Sequence, residues 1–298
     1  MGLAGVRVSA VGLGTNQFGR RVDERGAAAV VNKALELGVN FIDTAESYSD
    51  GVSEELIGLS VKDRRHQFVI ATKTGSASEP LGRLSRRQIV RRLEGSLKRL
   101  GTEYVDLYYL HFPDPGTALE ESLRALDDMV RTGKVLYPAI SNHAAWQVTE
   151  ALAICDRGGY ARPVVAQNEY NLLIRNAEAE LLPACRRFGL SLVPYSPLAE
   201  GFLTGKYERS HPVRPGVRGY ENKSFQQTWM TDAHFASLSR FEAFAKPRGH
   251  TIGDLAIAWL LAGPLVCSVI AGVTSPDQLE RNVKAADWKL EPEELKAL

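Results

Sequence analysis

The chain has 298 residues, 44% hydrophobic and 24% charged, and its 36 lysines and arginines against 35 aspartates and glutamates leave a formal charge of +1. That composition supplies a full apolar core and excludes disorder, collagen and coiled coil as whole-chain descriptions. The balanced charge lacks the basic excess of a non-specific nucleic-acid binder, and no run of eighteen apolar residues announces a transmembrane helix.

The N-terminus has no basic region followed by a long apolar core, so no secretory signal is expected and the expected location is the cytoplasm. Residues before Ala10 are too few for a domain, and a small hairpin across a barrel floor is the expectation there. Strand-length apolar runs follow at 10–13, 41–43, 68–72, 105–110, 135–140, 164–166, 191–194 and 268–271. Most are apolar on both faces, which a parallel strand covered by helices requires. Between them the periodicity is helical. Residues 23–37 end at Gly38. Ser85, with Gln88 three residues on, caps a helix that carries Ile89, Leu93, Leu97 and Leu100 at three- and four-residue spacing and stops at Gly101. Residues 118–131 repeat the pattern up to Gly133, and 276–283 follow the last strand. Cys155, Cys185 and Cys267 are odd in number and widely spaced, which suits reduced, buried thiols better than disulfides or a metal site.

Eight strand–helix units predict a closed (β/α)8 TIM barrel, α/β in class, as one domain over residues 1–298. The rival is an open doubly wound sheet. It would normally carry G-x-G-x-x-G after its first strand, and Gly12-Leu13-Gly14-Thr15-Asn16-Gln17-Phe18-Gly19 does not match. The longest stretch without clear periodicity is 208–232, which holds Tyr220, Phe225, Trp229 and four basic residues from Arg209 to Lys223. It is expected to be mobile without ligand and to fold over the cofactor or substrate.

In such a barrel, chemistry sits at the carboxyl ends of strands. Asp43 closes the second strand, with Tyr48 five residues on. Lys73 closes the third and His111 the fourth. Ser141 and Asn142 close the fifth, Gln167 and Asn168 the sixth, Tyr195 and Ser196 the seventh, and Gly272 the eighth. Each alone is more often a turn, surface or core residue than a catalyst. Together they place a carboxylate, a phenol, an ammonium and an imidazole on one rim. A free tyrosine ionises near pH ~10. A lysine beside it favours the phenolate, an aspartate holds the lysine charged, and a histidine donates to the same substrate oxygen. The set is a general acid for a carbonyl that is becoming an alkoxide.

Phe41-Ile42-Asp43-Thr44-Ala45 with Tyr48, Ala71-Thr72-Lys73 and Leu110-His111 resemble the aldo-keto reductase superfamily, in particular its potassium-channel beta-subunit-like and bacterial general reductase branch. The resemblance continues through Arg99-Leu100-Gly101-Thr102-Glu103-Tyr104-Val105-Asp106-Leu107, Gln167-Asn168-Glu169-Tyr170-Asn171, Gly201-Phe202-Leu203-Thr204-Gly205-Lys206-Tyr207 and the segment from Gly272 to Asn282. It implies a barrel oxidoreductase that exchanges hydride between NADP(H) and an aldehyde, ketone or keto-sugar carbonyl, or the corresponding alcohol. It implies Tyr48 as acid and base, Lys73 as its electrostatic partner, Asp43 paired with Lys73, and His111 orienting the carbonyl. Ser141, Asn142 and Gln167 match residues around the nicotinamide, and Tyr195 the plate against its ring. Ser196, Leu198 and Lys206 match the pyrophosphate segment. Gly272, Thr274, Gln278 and Asn282 match the adenosine segment, where Arg281 supplies a guanidinium for a 2′-phosphate while Asp277 and Glu280 are expected to face solvent. The plainer expectation for Arg281 is a helix-surface pair with Asp277. Phe112 stands where a tryptophan is common, Ser49-Asp50-Gly51 where a tyrosine-glycine-containing loop is common after the tyrosine, and Ala271 where a proline is usual. Relatives that act as redox-sensing channel subunits make a cofactor-binding sensor the second expectation, since fold alone does not separate the two roles. No metal is expected, nor a nucleic-acid or membrane partner.

Overall fold

The structure, a computed structural model, describes residues 1–209, 219 and 222–298. Eight parallel strands close into a barrel in chain order: β1 (Val11–Gly14), β2 (Phe41–Asp43), β3 (Val69–Thr74), β4 (Val105–Leu110), β5 (Val135–Ser141), β6 (Val165–Glu169), β7 (Ser191–Tyr195) and β8 (Val269–Gly272), with β8 pairing back onto β1. The architecture is the (β/α)8 barrel, and the open doubly wound sheet is excluded by that closure. The outer ring follows the strands: α1 (Glu24–Glu36), α2 (Val52–Val61), α3 (Arg86–Leu100), α4 (Leu119–Arg131), α5 (Ala145–Gly158) and α6 (Leu181–Phe188). Between β7 and β8 come α7 (Lys223–Trp229), α8 (Asp232–Ala245) and α9 (Ile252–Leu261); α10 (Pro276–Ala285) and α11 (Pro292–Lys296) close the described chain. No helix among the described residues is long and apolar enough to cross a membrane.

Strand periodicity positions the site. Successive side chains alternate between the barrel interior and the helices. Phe41, Ala71, Leu107, Tyr109, Ala139, Val165, Val193 and Ile270 pack together inside. Ile42, Ile70, Tyr108, Leu110, Ile140, Ala166 and Leu192 join the helices in the outer core. Two residues beyond an interior apolar side chain the strand reaches the rim on the same face. That step leads from Phe41 to Asp43, Ala71 to Lys73, Tyr109 to His111, Ala139 to Ser141, Val165 to Gln167, Val193 to Tyr195 and Ile270 to Gly272.

Three expectations are corrected. Residues 1–9 form no hairpin; Met1, Val6 and Val8 instead pack as irregular chain against the barrel floor, with the Met1 amino group donating to the Val6 carbonyl at 2.8 Å. Ser85 makes no side-chain cap; at this helix start the Arg86 N–H instead donates to Glu121 Oε1 of the neighbouring helix at 2.9 Å. Its partner signal holds: Gly101 ends α3 in the left-handed conformation, φ 62°. In the 208–232 stretch, Lys223–Trp229 is helical and its two aromatics are core. Phe225 and Trp229 are each 2% exposed, with ring centres 5.1 Å from Tyr207 and 5.8 Å from His234 respectively. Tyr220 and two of the basic residues expected there, Arg214 and Arg218, lie outside the described residues.

Candidate active site

Tyr48 leaves the strand end on a short turn rather than on a helix. Its N–H donates to the Ala45 carbonyl, and Ser49 and Asp50 follow with φ of 52° and 54°. That left-handed conformation is unfavourable for residues with a Cβ, so the turn is held by what surrounds it. Ser49 Oγ donates to the Phe18 carbonyl at 2.7 Å. Gly51, at φ 94°, completes the turn and opens α2.

Lys73 is fully buried at the barrel centre and all three of its donors are used. Nζ donates to Asp43 Oδ1 at 2.5 Å, to the Thr44 carbonyl at 2.8 Å and to the Tyr48 hydroxyl at 3.3 Å. Asp43 Oδ2 accepts from Gln167 Nε2 at 2.8 Å, so both carboxylate oxygens are engaged. Because the phenolic oxygen accepts from Lys73, its own proton is left for another acceptor. Burial works against the Lys73 charge, but Asp43 and Tyr48 outweigh it, and the ammonium stays above its ordinary range. For Tyr48, burial raises the phenol above its ordinary value even though Lys73 pulls the other way. The lysine therefore limits the rise instead of producing the net lowering that the sequence implied. Burial, helped by the Lys73 cation, pushes the His111 imidazole down to about 3, so the ring is neutral. His111 Nδ1 is buried without a hydrogen-bond partner among the described residues. A buried orphan N–H is rarer than a buried orphan acceptor, so the proton belongs on Nε2.

A cavity of about 600 Å³ opens over this group. Asp43, Tyr48 and His111 lie at one end of it with Phe112. Ser141, Asn142, Gln167, Tyr195, Ser196, Leu198, Lys206, Gly272, Thr274, Gln278, Arg281 and Asn282 line the rest, so every cofactor residue read from the sequence faces one space. Several hold one another. Ser141 Oγ donates to the Gln167 carbonyl at 2.9 Å, Asn142 Nδ2 to the His111 carbonyl at 2.9 Å, and the Tyr195 hydroxyl to Asn142 Oδ1 at 2.7 Å. Gln167 Oε1 remains an acceptor. At the far end, Gln278 Oε1 accepts from the Thr274 N–H at 2.7 Å and Ser275 Oγ caps α10. A Cβ at Gly272 would lie 3.0 Å from Asn16 Oδ1, so that exposed side chain would have to give way.

Residues 10–298 match the model of the aldo/keto reductase family. The chain belongs to that family. It is 38% identical to a probable voltage-gated potassium channel subunit beta of Oryza sativa subsp. japonica, over 96% of this chain and 90% of that one. It is 36% identical to the uncharacterized oxidoreductase YrpG of Bacillus subtilis (strain 168), over 100% and 93%. It is 37% identical to aflatoxin B1 aldehyde reductase member 2 of Homo sapiens, over 96% and 84%. This aldo/keto reductase is an oxidoreductase of the carbonyl-reducing kind. Sequence reasoning missed Asn16, Gln17, Arg21, Glu200, Gly201 and Thr204, which also line its cavity. They sit in the loop after β1 and in a short 3-10 helix, Ala199–Thr204, rather than at strand ends, where the interior-facing step of two residues no longer applies. Arg281 makes no ion pair with Asp277, and Glu280 bonds Lys284 at 2.8 Å, away from the lining.

Proposed function

We propose that residues 1–298 act as one cytoplasmic domain that reduces aldehyde, ketone or keto-sugar carbonyls with NADPH, reversibly, with Tyr48 as general acid. The observation that carries this is the exhausted donor set of Lys73. Its third N–H goes to the phenolic oxygen, so the Tyr48 proton is left for an acceptor in the cavity that Tyr48 lines. His111 Nε2–H supplies a second donor toward the same substrate oxygen, uncharged and therefore with no titration of its own near neutrality. Asp43 keeps Lys73 charged and fixed, and Lys73 stabilises the phenolate that remains once the proton has moved. Phe112 walls the reacting end and Tyr195 braces Asn142, limiting the poses a carbonyl adopts.

When bound, a nicotinamide dinucleotide phosphate supplies the hydride. The lining suits it. The cavity reaches both Tyr48 and the N-terminus of α10, its size is in the range of cofactor sites, and it carries Arg21, Lys206 and Arg281 for a polyanion. Gln167 Oε1 would accept from a carboxamide, Tyr195 would lie against the ring, Ser196, Leu198 and Lys206 would flank the pyrophosphate, and Thr274, Gln278 and Asn282 the adenosine. Arg281, exposed and with no acidic partner among the described residues, favours the phosphorylated cofactor, since its guanidinium faces the cavity and suits a 2′-phosphate.

The test is NADPH oxidation with a panel of aldehydes, ketones and keto-sugars. Turnover with any class supports the reading. Tight cofactor binding with no turnover across the panel would overturn it in favour of the sensor or channel-subunit role suggested by the relatives' names.

A further inference from the structure

We infer that the ion pair between buried Glu54 and partly exposed Arg99 is a positioning device for Tyr48, holding the left-handed turn that presents the phenol to Lys73. The inference rests on Tyr48 being the acid. Its observations lie outside the cavity, on the helix side of the barrel.

Arg99 stands in the last turn of α3. Its side chain runs across Gly51: a Cβ on that glycine would meet Arg99 Cδ at 2.7 Å and Nε at 2.8 Å. The missing side chain is what lets the arginine reach past the end of the Tyr48 turn. Arg99 Nε then donates to Glu54 Oε2 at 2.7 Å, and Nη2 reaches the same oxygen at 2.7 Å. Glu54 is in the first turn of α2 and has no exposure. Its other oxygen accepts from Thr72 Oγ1 at 2.5 Å. Thr72 is the residue before Lys73, with its side chain on the opposite face of β3. One carboxylate thus ties the helix that follows Tyr48 to the strand residue that precedes Lys73, while the arginine bears on the last residue of the turn between them.

This arrangement does more than fill space. A buried ion pair is poor evidence of a stability device, since apolar residues of similar volume often serve as well. It does fix register between elements. The Tyr48–Lys73 contact, at 3.3 Å, is the longest of the three that Lys73 makes. It is therefore the first to leave hydrogen-bonding range when the turn relaxes. Ser49 and Asp50, in conformations that side chains resist, supply the tendency to relax.

The test compares the wild type with the double variant E54Q/R99M and with the milder Arg99→Lys. The double change leaves no lone buried charge, and Gln keeps an acceptor for Thr72. Tyr48 ionisation is followed by ultraviolet difference titration, subtracting Tyr48→Phe in each background. The charged and titratable groups facing the phenol are Lys73 on β3, Asp43 on β2, His111 after β4 and Tyr195 on β7, and none is altered. If the pair positions the turn, Tyr48 ionises at a different pH in the variants, higher where the phenol loses the cation and stays buried and lower where it also gains solvent. kcat then falls about tenfold, and the cofactor dissociation constant stays within about twofold. An unchanged Tyr48 titration in folded variants, with only the melting temperature lowered, would show a purely structural pair. Arg99→Lys decides the matter should the double variant not fold. The titration needs no turnover, so a wild type that reduces no carbonyl defeats the proposed function without deciding the clamp.

Discussion

The two ends of the cavity are built differently. Around Lys73, residues Asp43 and Tyr48 and, from β6, Gln167 form one bonded chain, and Lys73 has no exposure at all. At the β8 end, Gly272 and Arg281 are exposed, and Thr274 and Gln278 are tied to each other in a local helix cap. The first end is a network in which Lys73 Nζ answers to three neighbours and the two Asp43 oxygens to Lys73 and Gln167. The second is an open cradle in which a single side chain is free to change alone. Buried networks respond to substitution as units, whereas separated surface groups respond additively.

Four outcomes would break or sharpen that contrast. Tyr48→Phe should lower kcat by ~10²–10⁴-fold with cofactor affinity nearly kept. Near-normal turnover would remove Tyr48 from the role of acid. Lys73→Met should cost at least ~10²-fold in kcat. It should also cost about 3–5 kcal/mol in stability, because Asp43 is left buried with only Gln167 beside it. Combined with Tyr48→Phe it should lose far less than the product of the two single effects. A multiplicative double variant, by turnover and melting, would mean the two side chains act separately.

The third outcome concerns pH. His111 takes its proton near 3 when folded and near 6.5 in a free chain. Between those values the unfolded chain binds a proton that the native ring does not. The neutral ring's contribution is therefore complete above pH 6.5 and is lost as pH falls toward 3, at roughly 1.4 kcal/mol per pH unit. Denaturation at pH 7 and pH 4.5 should show His111→Phe with a smaller acid penalty than the wild type. Buried His143, also held below its ordinary value by desolvation, keeps its own share. An identical penalty in the two proteins would mean that His111 is charged or exposed. The smallest effect belongs to the cradle. Arg281→Ala should weaken NADPH binding by about tenfold at low salt, leave NADH nearly unchanged and barely move the melting temperature. Equal losses for both cofactors would show that Arg281 does not read the phosphate.

Strand ends were legible because period two is a local rule. Once residues 41–43 or 105–110 are read as strands, the face on which Asp43 or His111 emerges follows from Phe41 or Tyr109 two residues earlier. The barrel was legible for the same reason, in the alternation of short apolar runs and helical periods. Within the 208–232 stretch, only the helical part at 223–229 departs from expectation, because Phe225 and Trp229 find their partners, Tyr207 and His234, outside any sequence periodicity. Arg21 escaped notice because its loop carries it to a cavity whose opposite wall comes from residues some 180–260 positions away.

The sequence by itself determined which side chains stand at the barrel rim and which family the chain joins, because both depend on residue type and short spacing. Tertiary structure decided what those side chains do to one another. Lys73 spends its third donor on Tyr48, Gln167 turns its amide to Asp43, and burial outweighs the lysine at the phenol. Each of these is set by distances of about 3 Å between groups 25 to 124 residues apart, and at that range strength is governed by geometry and desolvation, neither of which residue identity encodes.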